Sequence, residues 1–214
     1  EPNILELNLL SKADMAMVKC SPMLDITMAC RQLGCVSDIY IVSVNNECKE
    51  LLLLLNSSCF TTVTTHCVNF LKDGGTQVFS FTQDEEDFAE TRYSSEVSKY
   101  LYEPNASVQK AGSPKSLSKY HASKLHPNSH LYTADTLIEQ FPGRKFRVIE
   151  VLGFTKNDIK KVAQMGKANI TVRNFPESVQ QLRKRLKLRD GGDNYLFATT
   201  LADERKVLIV CHKA

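Results

Sequence analysis

The five leucines at positions 51–55, bracketed by Lys49, Glu50 and Asn56, form the longest unbroken apolar run in the chain. A run this short falls well below the ~18–20 apolar residues that span a bilayer, and its length suits a buried strand. The preceding Asp38-Ile-Tyr-Ile-Val-Ser-Val44 is nearly as apolar, and Asn45-Asn46-Glu47 between the two is turn chemistry. Near-continuous apolar strands of this kind belong to α/β sheets covered on both faces. Upstream, Met15-Ala-Met-Val-Lys-Cys20 reads as a strand ending at Ser21-Pro22. Asp25 is placed to cap a helix running to about Leu33, with Gly34 as its stop. Residues 4–13, with Leu5 and Leu9 on one face, predict one more short helix. The order helix, strand, helix, strand, turn, strand is how a doubly wound sheet ends when its last strand returns antiparallel.

Residues 60–71, the turn Lys72-Asp-Gly-Gly75 and Thr76-Gln-Val-Phe-Ser-Phe81 predict a β-hairpin. Asp84-Glu-Glu-Asp87 suits either an acidic first helical turn or a linker. In Tyr100-Leu-Tyr-Glu-Pro-Asn-Ala-Ser107 the tyrosines fit half-buried strand aromatics, or a platform on which a nucleic-acid base stacks.

Charge divides the chain in two. Residues 143–214 hold 16 Lys and Arg against 7 Asp and Glu, net +9, whereas residues 1–142 are net −6. A basic module of this strength is a statement about partners, and a polyanion is the natural one. Its elements are legible in turn. Lys145-Phe-Arg-Val-Ile-Glu-Val151 alternates as a strand, Thr155 or Asn157 caps a helix that Gly166 ends, and Ala168-Asn-Ile-Thr-Val-Arg173 is a second strand. Pro176 stands where a first helical residue tolerates proline. Val179, Leu182 and Leu186 make one buried stripe. Arg183, Lys184 and Lys187 flank that stripe, with Arg185 across from them. Asp190-Gly-Gly-Asp193 is expected to close the helix before Tyr195-Leu-Phe-Ala-Thr-Thr-Leu201 and Lys206-Val-Leu-Ile-Val-Cys211. The module reads β-α-β-α-β-β.

Two groups of residues also carry a family resemblance. Val18-Lys19-Cys20-Ser21-Pro22-Met23-Leu24-Asp25-Ile26 and Glu47-Cys48-Lys49-Glu50-Leu51-Leu52 resemble the tail of the Rossmann-like catalytic domain in a bacterial family of class I S-adenosylmethionine-dependent methyltransferases. Members of that family carry a small ferredoxin-like insert and a C-terminal THUMP-like domain. Tyr100 to Ser107 and Lys110-Ala-Gly-Ser-Pro-Lys115 resemble the insert. The most specific match is Thr171-Val-Arg-Asn-Phe-Pro176 with Leu182-Arg-Lys-Arg-Leu-Lys-Leu-Arg-Asp-Gly-Gly-Asp193, which is similar to the THUMP-like domain.

The resemblance implies an α/β plus α+β chain in three parts. Residues 1–56 would end the Rossmann-like sheet, 57–142 hold the hairpin and ferredoxin-like segment, and 143–214 form the THUMP-like module. It also implies a substrate-docking role for that module and S-adenosylmethionine as cofactor of a full-length enzyme. The family's Gly-rich cofactor loop and Asp-Pro-x-Arg-Arg motif would lie upstream of Glu1, and the chain has no initiator Met. This portion is therefore expected neither to hold the cofactor nor to catalyse methyl transfer alone.

The candidate phosphate-gripping residues are Arg144, Lys145, Arg147, Arg173, Arg183, Lys184, Lys187 and Arg189, and few aromatics accompany them, which suits folded RNA, ribosomal or transfer. Lys19, Ser21 and Pro22 end a strand whose carboxyl edge would border the active-site crevice. The same charge would also fit a protein-interaction or scaffold module with an acidic partner, and the cut sheet edge would allow a homodimer. A hydrolase is disfavoured, because Ser21 and Asp25 lack a nucleophile elbow. His121, His126 and His130 share a polar loop without a nearby Cys or carboxylate, so no metal site is expected. Seven cysteines without a C-x-x-C, and no secretory leader after Glu1-Pro2, predict reduced core thiols in a cytoplasmic protein with no membrane partner.

Overall fold

The structure, a computed structural model, describes residues 8–58 and 62–214. The chain forms two compact units, Glu1–Glu90 with Asn105–Ser116, and Thr91–Pro104 with Leu117–Ala214. Each is built on one mixed sheet, so the chain is mixed α/β.

The first unit contains β1 (Met15–Cys20), α1 (Ile26–Leu33), β2 (Val36–Val44), β3 (Glu47–Asn56), β4 (Thr64–Phe70), β5 (Thr76–Thr82) and α2 (Gln83–Phe88). The strands lie in the order β1-β3-β2-β4-β5. β3 runs antiparallel between β1 and β2, and β4 is parallel to β2. The turn into β3 has Asn45 and Asn46 at φ 52° and 64°, the two left-handed residues of a type I′ hairpin. Pleating sorts the leucine run. Leu51, Leu53 and Leu55 are buried, while Leu52 and Leu54 on the other face are only half-buried, so expected burial on both faces is complete on one.

Asp25 caps α1 by accepting from Met28 N–H at 2.8 Å, and Gly34 ends it at φ 60°. The helix expected over residues 4–13 is, in its described part, a single 3-10 turn, Leu9–Ser11. Asn8, inside the expected span, sits at φ 43°, a left-handed conformation that the interior of a right-handed helix does not hold, and positions 4–7 lie outside the described residues. The predicted hairpin is β4 and β5, with positions 60 and 61 outside the described residues. The acidic stretch is helical, because Thr82 and Glu85 close a capping box around the start of α2. The cysteines depart in part from the expectation of thiols alone: Cys35 is disulfide-bonded, whereas Cys20, Cys30, Cys48, Cys67 and Cys211 are free and Cys59 lies outside the described residues.

The second unit contains β6 (Tyr100–Pro104), β7 (Ser123–Lys124), β8 (Tyr132–Ala134), β9 (Gly143–Leu152), α4 (Lys156–Ala163), β10 (Asn169–Arg173), α5 (Val179–Leu186), β11 (Tyr195–Thr200) and β12 (Lys206–Lys213). The short helix α3 (Ala106–Lys110) belongs to the first unit, where it packs on β2, β3 and β4. From β9 onward the order is β-α-β-α-β-β, as the sequence predicts. The seven strands lie in the order β10-β11-β12-β9-β6-β8-β7, so β6 to β8 extend the sheet of the basic module.

The two faces of this sheet bury separate cores. One is built on Leu101, Phe146, Phe197 and Ile209, and the other on Leu196, Ala198, Leu208 and Val210 under Val162 of α4 and Leu182 and Leu186 of α5. Phe146 and Val148 join the first core and Leu152 joins the second, although all three share one parity along β9. The pairing explains this: Val210 faces Glu150 and Cys211 faces Val148, so Ile149 is an extra, bulged residue. The bulge turns the end of β9 over, toward the helices.

Ser178, not Pro176, starts α5. Its hydroxyl accepts from Gln181 N–H at 3.3 Å and Gln181 Oε1 accepts from Ser178 N–H at 2.7 Å, a reciprocal cap that leaves Pro176 two residues ahead. The helix also closes before the glycine pair expected to end it, at Lys187 in the left-handed conformation with φ 54°. Among the described residues no helix is long and apolar enough to cross a membrane.

Candidate nucleic-acid interface

The eight predicted phosphate-gripping residues fall into three groups. Arg183, Lys184, Lys187 and Arg189 gather at the C-terminal end of α5, because Leu182 and Leu186 are fully buried and turn the intervening positions outward. Cations there also sit favourably against the negative end of the helix dipole. Leu188 N–H donates to Arg183 O at 3.1 Å and Leu188 is buried, so the chain tucks in and re-emerges at Arg189. Arg189 N–H donates to Gly166 O and Ala168 N–H donates to Arg189 O, both at 3.0 Å, which sets Lys167 beside Arg189.

Within this group the cations differ. Arg183 Nη2 is held by Asp190 Oδ1 at 2.7 Å, and its buried Nη1 has no partner. Lys184, Lys187, Arg189 and Lys167 are exposed, and their side chains make no ion pair among the described residues. Lys167 is the functional candidate that sequence reasoning missed; the Gly166 turn ahead of it was the only signal. Arg185 is turned away, paired with Glu177 and set 4.5 Å over the Phe154 ring.

Arg144 and Arg173 are brought together for a different purpose. Arg144 Nε donates to Glu103 Oε2 at 2.7 Å, and Arg173 Nη2 and Nε reach Glu103 Oε1 at 2.8 and 3.0 Å. Glu103 is 1% exposed, and a buried carboxylate is stable only when paired in this way. Lys145 donates to Glu139 O at 2.7 Å, while Arg147 is exposed and without a partner among the described residues. Burial pushes the Lys124 amine down, and burial together with the Lys124 and Arg173 charges pushes His130 down.

Lys19, Ser21 and Pro22 do end β1. Lys19 Nζ lies 2.6 Å from Glu50 Oε1 and the Ser21 hydroxyl accepts from Met23 N–H at 3.2 Å, an exposed turn. Of the loop histidines, His126 is fixed by Asn174 Nδ2 at 2.9 Å and Glu204 at 3.3 Å. No cluster of three metal-ligating side chains occurs among the described residues.

One arrangement invites a catalytic reading. Ser80 Oγ lies 2.9 Å from His66 Nδ1, and His66 Nε2 lies 3.0 Å from Asp38 Oδ1. Yet Ser80 is an interior residue of β5, opposite His66 in the ladder, without the sharp turn that presents a nucleophile beside an oxyanion amide. The His66 ring also stacks on Tyr40 at 4.6 Å. The row is a cross-strand polar network.

Comparison with known proteins agrees with this layout. Residues 100–142 match a family described as a ferredoxin-like domain, and residues 143–213 match a family described as THUMP domain-like. No curated protein matches the chain. A crystal structure described as a "putative methyltransferase from Porphyromonas gingivalis W83" is similar over 98% of this chain, with 36% identity and a TM-score of 0.91. The match covers 54% of that chain, so the present chain spans about half the length of the protein it resembles. The chain thus contains a ferredoxin-like domain followed by a THUMP-like domain.

Proposed function

We propose that this chain is the C-terminal, RNA-docking portion of an S-adenosylmethionine-dependent RNA methyltransferase. The observation that carries the reading is the set of four exposed, unpaired cations, Lys167, Lys184, Lys187 and Arg189, around the end of α5 in the THUMP-like domain. Phosphates are the ligand such a set fits, and folded RNA presents phosphates and shape above all. The methyltransferase half of the reading rests on the similarity to the Porphyromonas gingivalis structure. It is supported by β3 lying antiparallel between β1 and β2, the ending of a doubly wound sheet.

The residues of this chain do not fit the cofactor by themselves. Gly74 and Gly75 serve the β4–β5 hairpin and Gly191 and Gly192 the exit from α5, so neither pair follows a strand of a nucleotide-type crossover. The reading assigns the cofactor and the chemistry to further strands. The outer edge of β1 has no strand partner among the described residues, and Met15 and Met17 along it are 53% and 58% exposed. Such an edge is where more sheet would pair. Lys19, Ser21 and Pro22, at the carboxyl end of β1, would then line the crevice.

Anisotropy of labelled transfer RNA, ribosomal hairpins and DNA duplex across a salt series tests the docking role. Four phosphate contacts predict that log Kd rises with log salt at a slope of roughly 3–4. Absence of binding to any nucleic acid at low salt would sink the reading and leave the basic face to an acidic protein partner.

A further inference from the structure

The THUMP-like domain holds a cavity of about 300 Å³, the lower end of the range for small-ligand sites. Leu152, Val162, Met165 and Val210 supply its apolar wall, and Gln164 and Asn194 supply two carboxamides. The ion pair of Lys161 with Glu150 closes one side. Two features give this cavity the character of a built site. Leu152 and Glu150 line it only because the Ile149 bulge turns the end of β9 toward the helices, and a regular strand would send both to the opposite core. The carboxamides are also largely uncommitted. Gln164 makes no side-chain hydrogen bond among the described residues, and Asn194 makes one, from Oδ1 to His212 Nε2 at 3.0 Å, leaving Nδ2 without a partner there.

The cavity adjoins the cation group through the backbone. Met165 is followed by Gly166 and Lys167, Gly166 O accepts from Arg189 N–H, and Asn169 N–H donates to Asn194 O at 2.9 Å. Lys167 thus lies two residues beyond the lining residue Met165, and Arg189 is hydrogen-bonded to the Gly166 between them.

We propose that this cavity takes one unstacked nucleobase of the bound RNA, an inference that rests on the RNA-docking reading above. The apolar wall receives the face of the base, and the Gln164 and Asn194 carboxamides meet its edge with both donors and an acceptor, the groups that read Watson–Crick edges. Lys167 and Arg189 hold the phosphates on either side. A fully paired helix cannot use the pocket, so the domain selects RNA in which a base is splayed out beside a paired stem.

Two hairpins that differ only in one unpaired 2-aminopurine beside the stem provide the test, read by anisotropy and by 2-aminopurine fluorescence. The hairpin with the unpaired nucleotide is expected to bind about tenfold more tightly, within what stacking one base contributes. Its fluorescence should change on binding. The double variant Gln164→Ala, Asn194→Ala should lose the preference while keeping the salt slope, and Lys167→Ala should lower the slope while keeping the preference. Equal affinity for the two hairpins, or fluorescence unchanged in the complex, overturns the pocket and leaves the docking role standing. Failure of both RNAs to bind at low salt overturns both.

Discussion

Arg173 Nη2 lies 2.8 Å from Glu103 Oε1, tying β10 to β6 across the second sheet. The carboxylate is 1% exposed, whereas Arg173 and Arg144, which holds its other oxygen, are about one-third exposed at 34% and 38%. The buried partner therefore depends on the arginines more than they depend on it. Removing one partner from a fully buried pair costs about 3–5 kcal/mol. With solvent still reaching both guanidiniums, Glu103→Ala should cost somewhat less, about 2–4 kcal/mol in urea unfolding. A loss below about 1 kcal/mol would show the pair to be incidental. Because both guanidiniums are committed to Glu103, Arg173→Lys should lower stability yet change the RNA salt slope far less than Lys184→Ala does.

Lys187 carries an opposite trade. It closes α5 in the left-handed conformation at φ 54°, the position where glycine is favoured, and a side chain there costs about 1 kcal/mol. Lys187→Gly should raise the unfolding midpoint while weakening RNA and lowering the salt slope by about 0.7–0.9. A variant that is stabilised and binds unchanged would remove Lys187 from the interface.

Local signals were legible in the sequence, and non-local ones were not. Asp25, Gly34 and Thr155 act within a few residues of themselves, so their spacing announces α1 and α4. Leu182 and Leu186 announce the buried face of α5 by the same short-range logic, while Val179, expected in the same stripe, is only half-buried. Counting charges could not separate Arg144 and Arg173 from Lys184 and Lys187, because the residue that claims the two arginines, Glu103, lies 41 and 70 positions away. The Ile149 bulge was hidden inside an alternation that looks regular, and with it the cavity it builds. β7 and β8, two and three residues long, are too short to show any period. Ser178 was obscured by Pro176, since both are start signals and only the reciprocal bonds with Gln181 decide between them.

Gly143 opens β9 where it passes β6. A Cβ there would stand 2.1 Å from Glu103 O and 2.8 Å from Pro104 Cα, both backbone atoms that cannot move aside cheaply. A strand glycine where another backbone approaches closely is required by space, not by φ. Gly143→Ala should therefore destabilise by about 2–4 kcal/mol, in the range of core overpacking and broken pairing. It should also speed amide exchange at Arg144 and Lys145 before the rest of the sheet. Uniform exchange with unchanged stability would contradict the close approach.

Cys67 and Cys211 are both buried, and burial pushes each thiol from the ordinary value near 9.0 up to about 12. The native state thus holds these protons more tightly than the unfolded chain does. The thiols contribute their full stability below pH 9, and as pH rises toward 12 the unfolded chain ionises first and that contribution is lost. Two measurements follow. At pH 8 the native protein should leave Cys67 and Cys211 unmodified by iodoacetamide while denaturant exposes both, since the thiolate is the reactive form. Between pH 8 and 11 the unfolding free energy should fall, and the fall should be shallower in the Cys67→Ala, Cys211→Ala variant whatever its absolute stability. A pH slope identical in the variant would place the alkaline loss elsewhere, and rapid native alkylation would show that the two thiols are not shut away in the sheets.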